Sequence, residues 1–577
     1  MSPDRKNLPM NDQTSIVGYV VGGGLKENLH VRLTVPANQV QEGGFVVIES
    51  GDWLFFGLVT DLQLGATDPR FADEQSEARL PGNLAGLLHG QTLFTNLEVL
   101  PALMLERGPE PGSPAYMAWL EKVGQETPRP LPVKTVPPHH SPVRLASPGD
   151  IAEIFGKSDK EGNFVIGYTR EQGHPVCLEL NKFVQRSSGV FGATGTGKSF
   201  LTRLILAGLI QLNRASVLVL DMHNEYGFDD TASDSGERVI GLKTKFSSRV
   251  RVVGLGQGAQ IRGRTPDFNL EISMKDVHPE DIELLTRELN LKETTSTTLD
   301  ALVSEYGREN WFSSFREMKN GAVIEDSNGK KVPAPDSVAA WANSAGVNVM
   351  AAEGLHSKLG RVFRLPYVVE RPAADTVSEI VKALEAGQHV ILSFGQFEND
   401  LDYLLVSNLL TRRIRDAWEK RTNEFRSKGE KEPRPLVIVL EEAHKLLNRE
   451  MAGQTTFSTI ARELRKYYVT LLIVDQRPSQ IYDEVMSQLG TRISGWLGDE
   501  EDIRAVLSGL SGRDALRGML ARLQPKEEVL LLGWGVPMPL PVRSRRYDDA
   551  FWEDLTGRPT GDAGKRDEAQ IMKELGF

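Results

Sequence analysis

From Ser15 to about Leu100 apolar residues fall in short alternating runs broken by glycine and polar turns: IVGYVVGG, LHVRLTV, GGFVVIES and DWLFFGLVTDL. That period of two predicts several short strands, hence a small β-barrel or sandwich over 15–145, behind a flexible polar N-terminus at 1–14. Seven prolines between Pro128 and Pro148 cannot continue a helix or sit in a central strand, which sets a boundary near residue 145. Beyond it the period changes. GNFVIGYTR and HPVCLEL read as strands and 198–213 as a helix; 215–221, 389–394, 436–441 and 469–475 read as nearly continuous apolar strands, with a helix at about 400–420 and further strands at 491–497 and 527–533. Apolar strands separated by helices predict a largely parallel sheet covered on both faces. The fold class is therefore α/β, with a core at 146–271 and 366–550 interrupted by a helical insertion at 272–365 (DIELLTRELNL, TTLDALVSEYG, SVAAWANSA). Within the tail at 551–577, residues 563–577 read as a short charged helix after a glycine and proline break.

Composition narrows the picture. With 577 residues, 40% hydrophobic and 25% charged, the chain exceeds one ordinary core and calls for two or three domains. No stretch approaches the roughly 18 consecutive apolar residues that span a bilayer, and the polar start is unlike a secretory signal. The expected location is the cytoplasm, with no membrane partner. A single cysteine, Cys177, excludes intramolecular disulfides and thiolate zinc sites. The formal net charge of −11 argues against a uniformly basic surface, while a local basic face or a ring lumen can still carry DNA.

The chemistry begins at Gly192-Ala193-Thr194-Gly195-Thr196-Gly197-Lys198-Ser199, which matches G-x-x-x-x-G-K-[ST] in full between a predicted strand and an apolar helix. Successive backbone N–H groups and the start of the helix dipole make a concave anion site, and glycine lets the chain approach phosphate without a Cβ in the way. Lys198 is placed to neutralise the β- and γ-phosphates and the Ser199 hydroxyl to ligate Mg²⁺. Hydrolysis also needs carboxylates at the carboxyl ends of neighbouring strands. LVIVLEEAH supplies Glu441, to hold magnesium directly or through water, and Glu442, as general base; the plain alternative is an acidic start to the next helix. VTLLIVDQRPSQ puts Asp475 and Gln476 at another strand end, where Gln476 senses the γ-phosphate, orients the water, or is a polar turn. VLVLDMHNEYG puts Asp221, His223 and Glu225 two apart, on one face if the extended path continues, as a catalytic or sensing group or as caps for the next segment.

In this order, and preceded by a small β-rich domain, GATGTGKS, LDMHNEYG, LEEAHKLL, ARELRKYY and VDQRPSQ resemble the HerA family of the HerA–FtsK ATPases, over nearly all of residues 15–550. The resemblance implies a RecA-like P-loop ATPase core, ATP and Mg²⁺ as cofactors, and a homohexameric ring that translocates double-stranded DNA through its lumen. The implied N-terminal barrel tier contacts a partner, usually a NurA-type nuclease with which the motor resects DNA ends for repair. Carried over by position, Lys198 and Ser199 are the phosphate and magnesium residues, and Glu442 is the base with Glu441 beside it. Asp221 and Glu225 fall in the family's Asp-x-His-x-Glu-Tyr motif, with Asn224 where glycine is frequent, and Gln476 is the sensor. The trans-acting arginine finger is Arg465 or Arg462, of which Arg465 is preferred. The sequence departs from the family there: Leu464 and Tyr468 stand where glycine is usual.

An arginine finger supplied across an interface is worth about 10³ to 10⁵ in rate, so a ring has a physical rationale of its own. Arg462 and Arg465, three apart on an expected helix, lie on nearly one face; the alternative is an ordinary solvated basic face. For DNA contact the candidates are the stretch around Lys243, Lys245, Arg262 and Arg264 and the stretch from Arg412 to Lys428, the second interleaved with acids. No DNA-binding residue is assigned. Beside the translocase, two other readings stand: a ring scaffold of an antiviral defence complex with a sirtuin-type or other nuclease effector, and a secretion or conjugation motor.

Overall fold

The computed structural model describes residues 16–67 except 26, 93–109, 113–123, 129–231, 236, 238–451 except 328, 457, 460, and 464–557 except 511. The polar N-terminus, the expected helix at 563–577 and Arg462 lie outside the described residues. The chain divides into two compact units, residues 1–179 with 493–545, and 180–492 with 546–577.

In the first unit the alternating runs become β1 (Ile16–Gly22), β2 (Leu29–Leu33), β3 (Phe45–Ser50), β4 (Trp53–Ala66), β5 (Leu93–Glu106), β6 (Leu131–Pro132) and β7 (Pro142–Leu145). Their order is β2-β1-β7-β3-β4-β5-β6, and β2 also pairs with β5. Six strands therefore close into a barrel with β6 attached outside the ring. Closure leaves no open edge among the six, and inward side chains such as Val31, Val46, Val59, Leu97 and Val99 are fully buried in it. The prolines sit where a missing N–H costs least: Pro132 in the outermost strand, Pro142 at the first position of β7, and Pro148 in the first turn of helix Pro148–Phe155. That helix starts in a capping box, in which the Ser147 side chain accepts from the Asp150 N–H and the Asp150 carboxylate accepts from the Ser147 N–H. Strands Asn163–Thr169, Pro175–Glu179, Glu528–Gly533 and Leu540–Ser544 form an antiparallel group in the same unit, tied by a partly buried Arg170–Glu528 ion pair at 2.5 Å.

The second unit holds the parallel strands. Their order is Phe268–Leu270, Val250–Leu255, His389–Ser393, Ser216–Asp221, Leu436–Glu441, Val469–Asp475, Ser188–Phe191. The four predicted core strands agree with these to within a residue. They are buried from end to end, which is why they read as continuous apolar runs rather than alternations. The strand that enters the phosphate loop is the short SGVF run, preceded by the helical turn Leu180–Phe183. Helix Lys198–Leu212 follows the loop and is buried continuously from Leu201 to Ile210. At its carboxyl end Arg249 donates to the Ile210 carbonyl and Arg434 to the carbonyl and side chain of Asn213, two cations at the negative end of the helix dipole.

Residues 274–363 contain helices Pro279–Glu283, Thr295–Tyr306, Trp311–Glu317, Val338–Ser344 and Val349–Phe363, with a hairpin of Val323–Glu325 and Lys331–Pro333. The expected helix at 400–420 runs longer, Asp400–Lys428, because it meets no breaker before Gly429, which caps it at φ +67°. The strand expected at 491–497 is shorter, Thr491–Ser494.

In the Arg412 to Lys428 stretch several of the basic residues are paired with acids and the first of them is buried. Arg412 is buried and donates to Asp281 at 2.8 Å and to the Asp276 carbonyl at 2.7 Å, while Arg413 meets Asp276, Arg415 meets Asp416 and Arg421 meets Glu385. Asp281 is fully buried and also accepts from Asn408 and the His278 N–H, so Arg412 pins helix Pro279–Glu283 to the long helix. Removing one partner of a buried pair strands the other charge, at a cost of roughly 3–5 kcal/mol. Arg412→Met is expected to lower stability in urea unfolding by about that amount. Arg504→Met, which removes an exposed i,i+4 pair with Glu500, is expected to cost under about 1 kcal/mol in the same measurement.

Candidate active site

Parallel register decides which side chains meet. Phe191 lies opposite Asp475, Val474 opposite Glu441, Leu440 opposite Leu220 and Asp221 opposite Ser393, so the phosphate loop and three acidic strand ends open on one edge of the sheet. The loop turns through Gly195 at φ +76° and Gly197 at φ +91°, the latter being the N-cap of helix Lys198–Leu212. Thr196 Oγ1 and Lys198 Nζ donate to the Ala193 carbonyl at 2.7 and 3.0 Å, which holds the lysine folded back over its own loop. Burial lowers the Lys198 pKa against the opposing pull of Glu442, Asp475, Glu225 and Glu441.

Two hydrogen bonds join the loop to the strand ends. Thr194 Oγ1 donates to Gln476 Oε1 at 2.6 Å, and Gln476 Nε2 donates to Glu442 Oε2 at 3.3 Å. Glu442 has a left-handed backbone, φ +45°, uncommon outside glycine, asparagine and aspartate. Its neighbour Glu441 is buried, accepts from Tyr226 Oη at 2.7 Å through Oε1, and leaves Oε2 buried without a protein partner. Burial pushes the Glu441 pKa well above the carboxylate range, and Asp221 and Glu225 push it further. Burial likewise raises Asp221 to about 6, against N–H groups of Glu225 and Tyr226 that donate to its carboxylate at 2.8 and 3.1 Å.

Asp221 therefore works as the cap of a turn, and the extended path ends there. Asn224 takes φ +58°, His223 is exposed, and Asp221, His223 and Glu225 do not share a strand face. Asn224 fits its left-handed position by clamping Gly395, accepting from its N–H at 2.9 Å and donating to its carbonyl at 3.2 Å. Glu225 Oε2 is a second buried carboxylate oxygen with no protein partner. Arg465 is exposed in the 3₁₀ turn Leu464–Tyr467, so the described part of the expected arginine helix is a tighter turn, and Tyr468 leaves it at φ +65°. The other basic stretch is paired with acids as well: Lys243 with Asp267, Arg262 with Asp230 and Arg264 with Asp229.

Sequence reasoning passed over one arrangement. Asp475, with a fully buried side chain, accepts from the His444 backbone N–H at 2.7 Å, from His444 Nδ1 at 3.0 Å and from the Arg477 N–H at 2.7 Å. The same Nδ1 lies 3.5 Å from Glu442 Oε2. The available signal was an aspartate at the end of an otherwise apolar strand, beside a histidine three residues past Glu441. Burial lowers the His444 pKa, but the hydrogen bond and charge of Asp475, with Glu442, outweigh it and hold the imidazole above its ordinary value.

A complete phosphate loop between a parallel strand and a helix, with carboxylates at the neighbouring strand ends, defines a P-loop NTPase core. Within that class the chain is similar to the HerA helicases: residues 164–414 match the family model described as the central domain of helicase HerA. The chain is 24% identical over 541 residues to the DNA double-strand break repair helicase HerA of Sulfurisphaera tokodaii, covering 92% of this chain and 93% of that one. The namesake from Saccharolobus solfataricus is 23% identical over 539 residues with the same coverage. The resemblance read from the motifs is thereby borne out. Among solved structures, the plasmid coupling protein TrwB in complex with ADP and Mg²⁺ is similar at a TM-score of 0.42 and 14% identity, covering 70% of this chain and 93% of that one. Among the described residues no helix is long and apolar enough to cross a membrane.

Because its raised pKa comes from partners present only in the fold, protonated His444 adds stability in full below its unfolded value, and that part is lost as pH rises through the higher folded value. The melting-temperature gap between wild type and His444→Ala, measured without nucleotide, is expected to be widest near pH 6 and to narrow toward pH 9.

Proposed function

We propose that this chain is an ATP-driven double-stranded DNA translocase or helicase that works as a homohexameric ring with a NurA-type nuclease in DNA end resection and repair. The observation that carries the ATPase part is the meeting of Lys198, Glu441, Glu442 and Gln476 on one sheet edge beside the loop. Similarity over nine-tenths of the chain to proteins named as DNA repair helicases supports the DNA part. The ring, the nuclease and the resection pathway rest on the family resemblance.

In this reading Lys198 leaves the Ala193 carbonyl to meet the β- and γ-phosphates, and the loop N–H groups cradle them. Ser199 and Glu441 would hold Mg²⁺. The fit rests on the buried, unpartnered Glu441 Oε2, a ready acceptor of positive charge. The ion neutralises charge on the phosphate oxygens when bound. Glu442 takes the proton of the attacking water, Gln476 orients that water, and Asp221 and Glu225 shape the turn beside Glu441. Among the described residues, the carboxyl groups of Glu441, Glu442, Asp475, Asp221 and Glu225 outnumber Lys198 at this edge, which suits a cation arriving from a neighbouring subunit. Arg465, exposed, is the proposed finger, with Arg462 the alternative.

Lys198→Ala is expected to abolish ATP turnover, while Glu442→Gln is expected to bind ATP normally and hydrolyse it at least about 100-fold more slowly. Residual turnover above a few per cent in Lys198→Ala would move the site elsewhere. Linear duplex DNA is expected to stimulate the wild-type ATPase; no stimulation would instead favour the scaffold reading. Mixing Arg465→Ala subunits into wild type is expected to depress activity more steeply than dilution, whereas a linear fall would place that arginine in cis or outside the site.

A further inference from the structure

Glu442 is the carboxylate on which the proposed hydrolysis turns, yet it sits on a left-handed residue just past a strand, with one glutamine as its donor from the strand beside it. A base that swings is a poor base, since a misplacement of about 1 Å can cost roughly 100-fold in rate. Something should hold it. The Gln476 amide and the His444 ring both approach the same oxygen, Oε2, at 3.3 and 3.5 Å. His444 is itself fixed twice by Asp475, through its backbone N–H at 2.7 Å and its ring Nδ1 at 3.0 Å. Asp475 is fixed in turn by the sheet, its strand being buried throughout and paired on both sides.

We propose that Asp475 and His444 are positioning residues for the base: Asp475 accepts from Nδ1–H and so fixes the imidazole, whose ring edge, 3.5 Å from Oε2 of Glu442, confines that oxygen beside the Gln476 amide and leaves Oε1 to take the proton. In the step served, the water oxygen bonds to the γ-phosphorus as its proton passes to Oε1. The bond to the bridging oxygen breaks with its electron pair leaving on ADP. Neither Asp475 nor His444 reacts. One nitrogen placed between two carboxylates also explains a feature the fold alone does not require, a fully buried aspartate at a strand end spent on a half-buried histidine rather than on the sheet.

This inference rests on the ATPase reading, and one set of measurements separates the two. The full-length chain is assayed for ATP turnover over a range of ATP concentration, for binding of a fluorescent ATP analogue, and for thermal melting, as wild type, Lys198→Ala, His444→Ala, His444→Asn and Asp475→Asn. Loss of turnover in Lys198→Ala establishes the site, and its persistence sinks the ATPase reading itself. With the site established, His444→Ala is expected to lower kcat by about 10- to 100-fold with KM and analogue affinity within about twofold of wild type. His444→Asn, whose amide reaches the Nδ1 position, is expected to recover a large part of kcat, and Asp475→Asn to fall between wild type and His444→Ala. An unchanged kcat in His444→Ala overturns the proposal. So does a His444→Asn variant no better than alanine at equal melting temperature, or a loss that appears in KM and analogue binding rather than in kcat.

Discussion

The site depends on the register of the parallel strands. A one-residue slip of Leu436–Glu441 against its neighbours would turn Glu441 to the other face of the sheet and carry Glu442 away from Gln476. Register is held by apolar side chains buried on both faces, so Val437 to Leu440 and Leu471 to Val474 position the chemistry without touching it. The loop strand Ser188–Phe191 is only four residues long, and its whole length pairs with the Asp475 strand. The loop is thus hung from the strand that carries Asp475 and leads into Gln476.

That edge concentrates negative charge in a place that disfavours it. Burial alone pushes Glu441 and Asp221 toward their neutral forms; the charges of Asp221 and Glu225 raise Glu441 further, and that of Glu225 raises Asp221. The protein offsets part of this with hydroxyl and backbone N–H donors, Tyr226 on Glu441 and Ser393 and two N–H groups on Asp221, and with the charge of Arg203 on Asp221. Tyr403 donates to the Glu441 carbonyl at 2.7 Å and so fixes the backbone where the strand ends. The remaining need for positive charge is what a metal and a neighbouring arginine would supply in the proposed reaction, and the buried Glu441 Oε2 is the oxygen that would meet the metal.

Local patterning made the strands, the phosphate loop and its helix legible, because burial on two faces writes continuous apolar runs and the loop is written in glycine. The barrel was legible as strands, but its closure was not: the β2–β5 pairing joins residues such as Val31 and Leu97 that no local period connects. The turn after Asp221 stayed open between an extended path and a cap, because an aspartate that caps two N–H groups looks, in sequence, like the next residue of a strand. The Asp475–His444 pair was missed for the opposite reason, being a contact between residues 31 apart whose types are ordinary taken singly. The basic stretches were legible as charge and not as function. Arg412 lies on a helix face that is buried against Asp281, and the acid that claims it is 131 residues away.

The positions where glycine would be expected show how far a motif can drift while its backbone stays put. Asn224 and Tyr468 stand where the family resemblance leads one to expect glycine, and both keep the left-handed conformation that glycine would serve, at φ +58° and +65°. A non-glycine residue there costs about 1–2 kcal/mol in the fold, and a side chain also removes freedom from the unfolded chain, which returns part of that cost. Asn224 offsets more through its two hydrogen bonds to Gly395. At Tyr468 the residue links the 3₁₀ turn carrying Arg465 to the strand that ends in Asp475: its N–H donates to the Arg465 carbonyl at 3.2 Å and its carbonyl accepts from Leu436 at 2.8 Å. The path from Arg465 to the Asp475 strand is therefore set by backbone hydrogen bonds and a positive φ rather than by a glycine.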